Sequence, residues 1–168
     1  MLPKRETPIN WPMFFGPILL ALVIAALDQW SKLRIQDYFS EPHGAVAVLP
    51  FFNLVLVLNH GVSFGMLDTM HDFSIGFAVL ALGVATYLII HLAYVRYRLT
   101  ALAFGLLIGG AAGNAMDRLR LGAVVDFLDF HIGTLHWPAF NIADSAVVTG
   151  VALLLLQSLV FDKKNSHS

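Results

Sequence analysis

The chain has 168 residues, of which 58% are hydrophobic and 12% charged, with a formal net charge of −1 and a mean hydropathy of +0.74. A soluble domain carries about twice that share of charged residues, so the composition excludes the soluble class and predicts one integral-membrane domain over residues 1–168. The balanced charge excludes nucleic acid as an expected partner, and the lack of cysteine excludes disulfides, thiolate catalysis and cysteine metal ligands.

Four apolar segments follow one another along the chain, at about residues 11–34, 73–95, 99–118 and 142–161. A helix needs roughly 20 apolar residues to cross a hydrocarbon core about 30 Å thick, so each segment predicts a membrane span. Lys4 and Arg5 ahead of the first segment are also typical of a secretory signal, but three more spans follow, and we expect an uncleaved anchor. The predicted fold is a membrane all-α bundle of four transmembrane helices.

The basic residues set the expected orientation of these spans, because positive charge is retained on the cytoplasmic side. Three basic pairs fall on one face of a four-span topology: Lys4 with Arg5, Arg96 with Arg98, and Lys163 with Lys164. We therefore expect both termini in the cytoplasm. The connections after the first and third spans are then expected on the outer side of the membrane.

The first span ends in the polar stretch DQWSK, which places Asp28 and Lys32 four residues apart. Residues at this spacing face each other on a helix, and such a pair contributes a few tenths of a kcal/mol when it is exposed. The residues alone therefore indicate a structural ion pair at the membrane edge.

The outer connection over about residues 35–70 contains two segments, Val46–Leu49 and Phe51–Leu58, that are rich in β-branched and aromatic residues. Proline, glycine and asparagine bound them, a pattern that predicts a small sheet. Because the two segments are continuously apolar, we expect both of their faces to be covered, by protein, lipid or substrate.

The stretch NHGVSFG follows this predicted sheet and contains Gly61-Val62-Ser63-Phe64-Gly65, which matches the G-x-S-x-G of serine hydrolases. That motif works only on a strand-to-helix turn of an α/β sheet, and this chain is too small for such a fold. A glycine-rich turn is the favoured interpretation, and an intramembrane serine hydrolase that uses Ser63 stays an alternative. The seven histidines have no zinc-binding spacing, so we expect no metal.

The third span carries a packing motif and a polar cluster. Gly105, Gly109 and Gly113 recur every four residues, a pattern that lets membrane helices approach closely. Asn114, Asp117 and Arg118 follow within one helical turn. They are either a structural network at the helix end or a polar group that orients nearby acids and receives the backbone of a substrate.

Asp126 and Asp144 flank the short polar connection before the fourth span. A carboxylate at a membrane edge is costly and marks a functional site. Asn141 has the spacing to cap the fourth span, and Asp144 then lies in its first turn, while Asp126 is expected in a loop. If the two carboxylates meet, they share a proton and can act as base and acid. The spacing equally allows two unrelated acids, and a small proton-coupled transporter also stays open.

Five motifs in order, DQWSK, NHGVSFG, GGAAGNAMDR, VVDF and FNIADS, resemble the lipoprotein signal peptidase (signal peptidase II) family over essentially the whole chain. The resemblance implies a four-helix membrane aspartic peptidase with a small extracytoplasmic β-cradle. It also implies that the catalytic aspartates are Asp126 and Asp144. The positions implied to bind substrate or support the site are Asn59, Arg118, Asn114, Asp117, Gly110, Asn141, Asp28 and Lys32. Ser63 departs from the alanine that relatives often carry.

The resemblance further implies the biological setting. The expected substrate is a diacylglyceryl-modified bacterial prolipoprotein, cut on the N-terminal side of its lipidated cysteine. The expected location is the bacterial inner membrane, with the active site on the outer side, and the other partners are membrane lipids. No cofactor is expected, because a carboxyl pair can activate water unaided, and we expect a monomer.

Overall fold

The computed structural model describes residues 11–41, 44–61 and 70–165. Four helices are present in these residues: α1 (Trp11–Tyr38), α2 (Met70–Leu92), α3 (Arg98–Leu121) and α4 (Ile142–Asn165). The strands are β1 (Val46–Leu49), β2 (Phe52–Asn59), β3 (Val124–Ile132) and β4 (Leu135–His136). Each helix contains a segment long and apolar enough to cross a membrane. The predicted class, four membrane helices with a small sheet, is confirmed.

The helix α3 lies at the centre of the bundle. It packs against each of α1, α2 and α4, and half of its membrane-length segment is buried, against about a fifth of the corresponding segment in each of the other helices. The outer helices expose large apolar side chains instead, such as Leu22, Val79 and Val148. In water this surface would be unfavourable, so it is the surface that faces lipid.

Glycines on α3 allow its neighbours to approach closely. A Cβ added at Gly109 would lie 2.7 Å from the carbonyl oxygen of Ala21 on α1, and one added at Gly110 would lie 2.5 Å from the carbonyl oxygen of Ala143 on α4. Real side chains cannot occupy that space. The predicted small-residue packing of the third span is confirmed, and Gly110 brings the start of α4 against α3.

The helix α2 ends at Leu92, ahead of the predicted boundary at residue 95. Ala93 and Tyr94 form a turn instead, in which the Tyr94 N–H donates to the carbonyl oxygen of His91 at 2.9 Å. Arg96 therefore lies in the short connection between α2 and α3 rather than in a helix.

The four strands form one antiparallel sheet in the order β1-β2-β3-β4. The two strands predicted in the outer connection are present as β1 and β2. The expectation that Asp126 lies in a loop is wrong, because residues 124–132 form the longest strand and pair with β2. The first four residues of β3 are buried on both faces of the sheet. The segment therefore lacks the alternation of polar and apolar residues by which a half-exposed strand is predicted.

The strand β3 links the end of α3 to the start of α4. Gly122 ends α3 in a left-handed conformation with φ 70°, which glycine adopts without strain, and β3 begins at Val124. Further along, Leu128 exchanges two backbone hydrogen bonds with Phe140, at 2.9 and 3.1 Å, just ahead of α4. This arrangement brings β3 and the first turn of α4 together at one end of the bundle.

Candidate active site

Asp126 lies on β3 with only 2% of its side chain exposed. Its Oδ2 accepts a hydrogen bond from Asn59 Nδ2 at 2.9 Å, and its Oδ1 accepts one from Asn141 Nδ2 at 2.8 Å. Strand pairing explains the first contact, because β2 and β3 align Val57 with Asp126 and Asn59 with Val124. Asp126 is therefore a buried, hydrogen-bonded carboxyl group and not a solvated one.

Burial raises the pKa of Asp126 from its ordinary value of 3.8 to about 6. The charge of Asp144 raises this pKa further, whereas the hydrogen bonds from Asn59 and Asn141 and the charge of Lys32 lower it. Loss of solvation therefore outweighs the two amide donors. Between pH 3.8 and about pH 6, Asp126 therefore keeps a proton that an ordinary carboxyl group in water has lost.

Asp144 lies in the first turn of α4 and is partly exposed. Its Oδ1 accepts a hydrogen bond from Asn114 Nδ2 at 2.7 Å, and its Oδ2 accepts one from the Asn141 N–H at 3.3 Å. In return, Asn141 Oδ1 accepts the Asp144 N–H at 2.8 Å. The predicted cap is thus present as a reciprocal capping box, which fixes the carboxylate relative to the helix start.

Asn141 joins the two acids. Its side chain is fully buried, donates to Asp126, and accepts from the backbone of Asp144. Its Nδ2 also lies 3.2 Å from Oδ1 of Asn114, the residue that donates to Asp144. Two amides therefore hold carboxylates from β3 and α4 around one position at the end of the bundle.

A buried ion group lies beneath this site. Lys32 Nζ lies 2.8 Å from Asp28 Oδ2 and 2.8 Å from Asp117 Oδ2, and all three side chains are at most 1% exposed. Lys32 also donates to Asn114 Oδ1 at 3.1 Å. The spacing in DQWSK predicts the first pair but neither its burial nor its second carboxylate. Within the third span, Asp117 pairs with α1 and not with its neighbour Arg118.

These contacts connect eight of the ten candidate residues in one network: Asp28, Lys32, Asn59, Asn114, Asp117, Asp126, Asn141 and Asp144. Gly110 lies outside the network and packs against α4. Arg118 places its guanidinium 5.7 Å from the ring centre of Phe77, and within the described residues its Nε has no hydrogen-bond partner. Ser63 lies outside the residues that the structure describes.

One contributor to the network, Gln29, is missing from the sequence-based candidates. Its amide contacts Asp28 and Asp117 from within α1. The signal available in the sequence is its position next to Asp28 in DQWSK. That signal is weak, because the same stretch also reads as an ordinary solvated helix end.

The site holds two carboxylates at one end of a bundle of four membrane-length helices. Amides fix both of them, and one has a raised pKa. These features are those of an integral-membrane enzyme suited to acid–base chemistry. The comparison with family models identifies which one. Residues 20–160 match the model of signal peptidase (SPase) II. The chain belongs to the signal peptidase II family and is a membrane peptidase.

Named relatives and solved structures agree with this assignment. The lipoprotein signal peptidase of Burkholderia mallei (strain SAVP1) is 43% identical over 144 residues, which cover 83% of this chain and 85% of that protein. The lipoprotein signal peptidase of Burkholderia cenocepacia (strain HI2424) is 44% identical over the same shares. A bacterial membrane enzyme solved by the in meso method at 1.9 Å superposes with a TM-score of 0.73 and 31% identity, covering 86% of this chain and 92% of that one. The family resemblance carried by the five motifs is confirmed.

Proposed function

We propose that this peptidase removes the signal peptide of diacylglyceryl-modified prolipoproteins, cutting before the lipidated cysteine, with Asp126 and Asp144 as its catalytic pair. The family and the lipoprotein signal peptidases that it resembles support the removal of signal peptides. The observation that carries the residue assignment is Asn141, whose side chain hydrogen-bonds Asp126 and whose backbone hydrogen-bonds Asp144.

In the proposed reaction, the two aspartates exchange protons with water and with the peptide bond. Asp126, whose pKa burial raises to about 6, enters protonated, and Asp144 enters as the carboxylate. Asp144 takes a proton from water as the water oxygen bonds to the scissile carbonyl carbon, and Asp126 gives its proton to the carbonyl oxygen. Asp144 then protonates the leaving nitrogen as the C–N bond breaks. Asp126 recovers a proton from the tetrahedral intermediate, which leaves a carboxylic acid and an amine.

Asn59 and Arg118 are proposed to bind the substrate's backbone near this pair. Asn59 is exposed on β2, and its Nδ2 already contacts Asp126. Arg118 is partly exposed, and its buried Nε has no hydrogen-bond partner within the described residues. A buried donor without a partner is costly, so a peptide carbonyl that accepted from this guanidinium would stabilise both molecules.

We also propose that the site faces the outer side of the inner membrane, with both termini in the cytoplasm. Arg98 is the first residue of α3 and Arg96 lies just before it, whereas β3 follows the other end of this helix. The 24 residues of α3 span about 36 Å, and positive residues favour the cytoplasmic side. The basic pair Lys4 and Arg5 lies outside the described residues. The protein is further proposed to act as a monomer, because all the residues of the network come from one chain.

The orientation can be tested with single cysteines, since the chain has none of its own. A membrane-impermeant thiol reagent added to intact cells should label the exposed turn residue in Thr134→Cys and spare Tyr97→Cys between α2 and α3. The reverse pattern would refute the proposed orientation.

Asp126→Asn and Asp144→Asn test the catalytic assignment. In detergent or lipid, each variant should insert and fold but no longer cleave a diacylglyceryl prolipoprotein, while Ser63→Ala should cleave normally. Cleavage by either aspartate variant would refute the pair. Loss of cleavage in Ser63→Ala alone would favour a serine hydrolase, and proton-coupled transport without cleavage would favour a transporter.

A further inference from the structure

We propose that Gln29 is a positioning residue that completes a buried brace, formed by Asp28, Lys32 and Asp117, and that this brace sets the separation of the two catalytic aspartates. The inference rests on the proposed function, because it assumes that Asp126 and Asp144 act together.

The two carboxylates of the brace hold the backbone next to the two catalytic residues. Asp28 Oδ1 accepts the Ala143 N–H at 2.9 Å, and Ala143 directly precedes Asp144. Asp117 Oδ2 accepts the Val125 N–H at 3.1 Å, and Val125 directly precedes Asp126. Each arm of the brace therefore holds one catalytic residue through the N–H of the residue before it.

Lys32 ties these two arms together but cannot neutralise both. It lies 2.8 Å from each carboxylate and carries one positive charge against two negative charges. Because the three side chains are at most 1% exposed, water does not supply the remaining stabilisation. A buried charge in excess needs additional hydrogen-bond donors.

Gln29 supplies such a donor to Asp117 and lies against Asp28 as well. Its Nε2 donates to Asp117 Oδ1 at 2.8 Å and lies 3.3 Å from Asp28 Oδ2. Within the described residues, it is the only hydrogen-bond donor to Asp117 Oδ1. Apart from Lys32, it is also the only side chain there that contacts both carboxylates.

The orientation of the Gln29 amide is fixed from two sides. Its Nε2 also donates to the carbonyl oxygen of Gly113 at 3.1 Å, and its Oε1 accepts from Arg120 Nη1, also at 3.1 Å. The donor end thus points into the brace and the acceptor end points outward. A side chain without that donor leaves Asp117 Oδ1 unpaired, and the carboxylate is then held only through Oδ2, by Lys32 and the Val125 N–H, about which it can turn.

Movement at Val125 is transmitted to Asp126, the next residue. A displacement of 1 Å in a reacting group can lower a rate by about a hundredfold. Asn59 lies on β2 and makes no described hydrogen bond to Gln29 or to the brace, so this proposed substrate-binding group stays in place. We therefore expect loss of Gln29 to lower kcat and to leave KM nearly unchanged.

The test compares three variants of the full-length enzyme in lipid nanodiscs, with a diacylglyceryl prolipoprotein as substrate. Gln29→Met keeps the length of the side chain and removes the donor, and Gln29→Glu replaces the donor with a third carboxylate. Gln36→Met is the matched control, because Gln36 is also half-buried on α1 but donates only to the backbone carbonyl of Lys32 at 3.2 Å. All rates are expressed per folded molecule.

We expect Gln29→Met to lower kcat by about tenfold or more with KM within about twofold, Gln29→Glu to lower kcat further, and Gln36→Met to match the parent enzyme. A kcat for Gln29→Met within twofold of the parent would overturn the inference. So would a change confined to KM, or one confined to the amount of folded protein. Asp126→Asn and Asp144→Asn in the same assay separate the two hypotheses. Activity in either refutes the proposed function, whereas inactive aspartate variants beside an unaffected Gln29→Met refute the brace alone.

Discussion

Replacing Asp126 with asparagine should make the protein more stable at neutral pH while it abolishes cleavage. Burial raises the pKa of Asp126 from 3.8 to about 6, so the folded state favours the protonated carboxyl group. Ionisation therefore opposes folding once the pH exceeds 3.8, and the penalty is complete above about pH 6. One pKa unit corresponds to about 1.4 kcal/mol, so the full penalty is about 3 kcal/mol.

The substitution also has a cost, which the structure defines. Asp126 accepts one amide hydrogen bond on each oxygen, from Asn59 and from Asn141. An asparagine can accept only one of them, and a lost hydrogen bond costs about 1 kcal/mol. Asp126→Asn should therefore gain about 2 kcal/mol at pH 7, or roughly 4–8 °C in Tm for a chain of this size. Below about pH 4, where the carboxyl group is protonated anyway, it should gain nothing.

Thermal unfolding in detergent between about pH 4 and pH 8 measures this difference, and Asp129→Asn is the control on the same strand. Hydrogen bonds from Asn53 and His136 hold the pKa of Asp129 below its ordinary value. Its ionised form therefore stabilises the fold at neutral pH and loses that effect in acid, so Asp129→Asn should lower Tm at pH 7. The reasoning would be refuted if the Tm of Asp126→Asn did not exceed that of the parent protein at pH values above 6, or if it exceeded it by the same amount at pH 4.

Three further outcomes follow from the site and its packing. If Asp126 acts as the acid, as proposed, kcat/KM should fall as the pH rises through its pKa of about 6; a flat profile from pH 5 to pH 8 would contradict this role. Asn59→Ala removes a hydrogen bond that lowers this pKa, so the midpoint should move up by roughly half a pH unit or more, and a downward shift would contradict it. Gly110→Ala places a Cβ 2.5 Å from a backbone oxygen of α4 and should cost about 1–3 kcal/mol in thermal unfolding. Gly83→Ala, with nothing within 4 Å, should not, and equal Tm values would argue against the close approach of α3 and α4.

The sequence predicts the four helices well, because a membrane span depends only on the length and apolarity of one continuous segment. The β-branched segments of the outer connection predict β1 and β2 for a similar local reason. The strand β3 escapes prediction, since Asp126 and Asp129 interrupt it and acids are disfavoured in strands. What stabilises it is tertiary: pairing with β2 and with Phe140.

The site also combines local features, which the sequence predicts, with tertiary contacts, which it does not. The capping role of Asn141 and the spacing of Asp28 and Lys32 are local and readable from the chain. The contact between Lys32 and Asp117 depends on how α1 crosses α3, and the donors of Gln29 depend on the same crossing. No spacing along the chain encodes it. For Asp126 and Asp144, the separation of eighteen positions carries no code, and their proposed catalytic pairing rests on the family motifs.

The most direct test of the central claim is a structure of the enzyme with a peptide analogue whose scissile carbonyl is replaced by a tetrahedral hydroxyl-bearing carbon. If Asp126 and Asp144 act on one water and one peptide bond, a carboxylate oxygen from each should lie within about 3 Å of that hydroxyl group. A bound analogue that only one of the two carboxylates reaches would contradict the account.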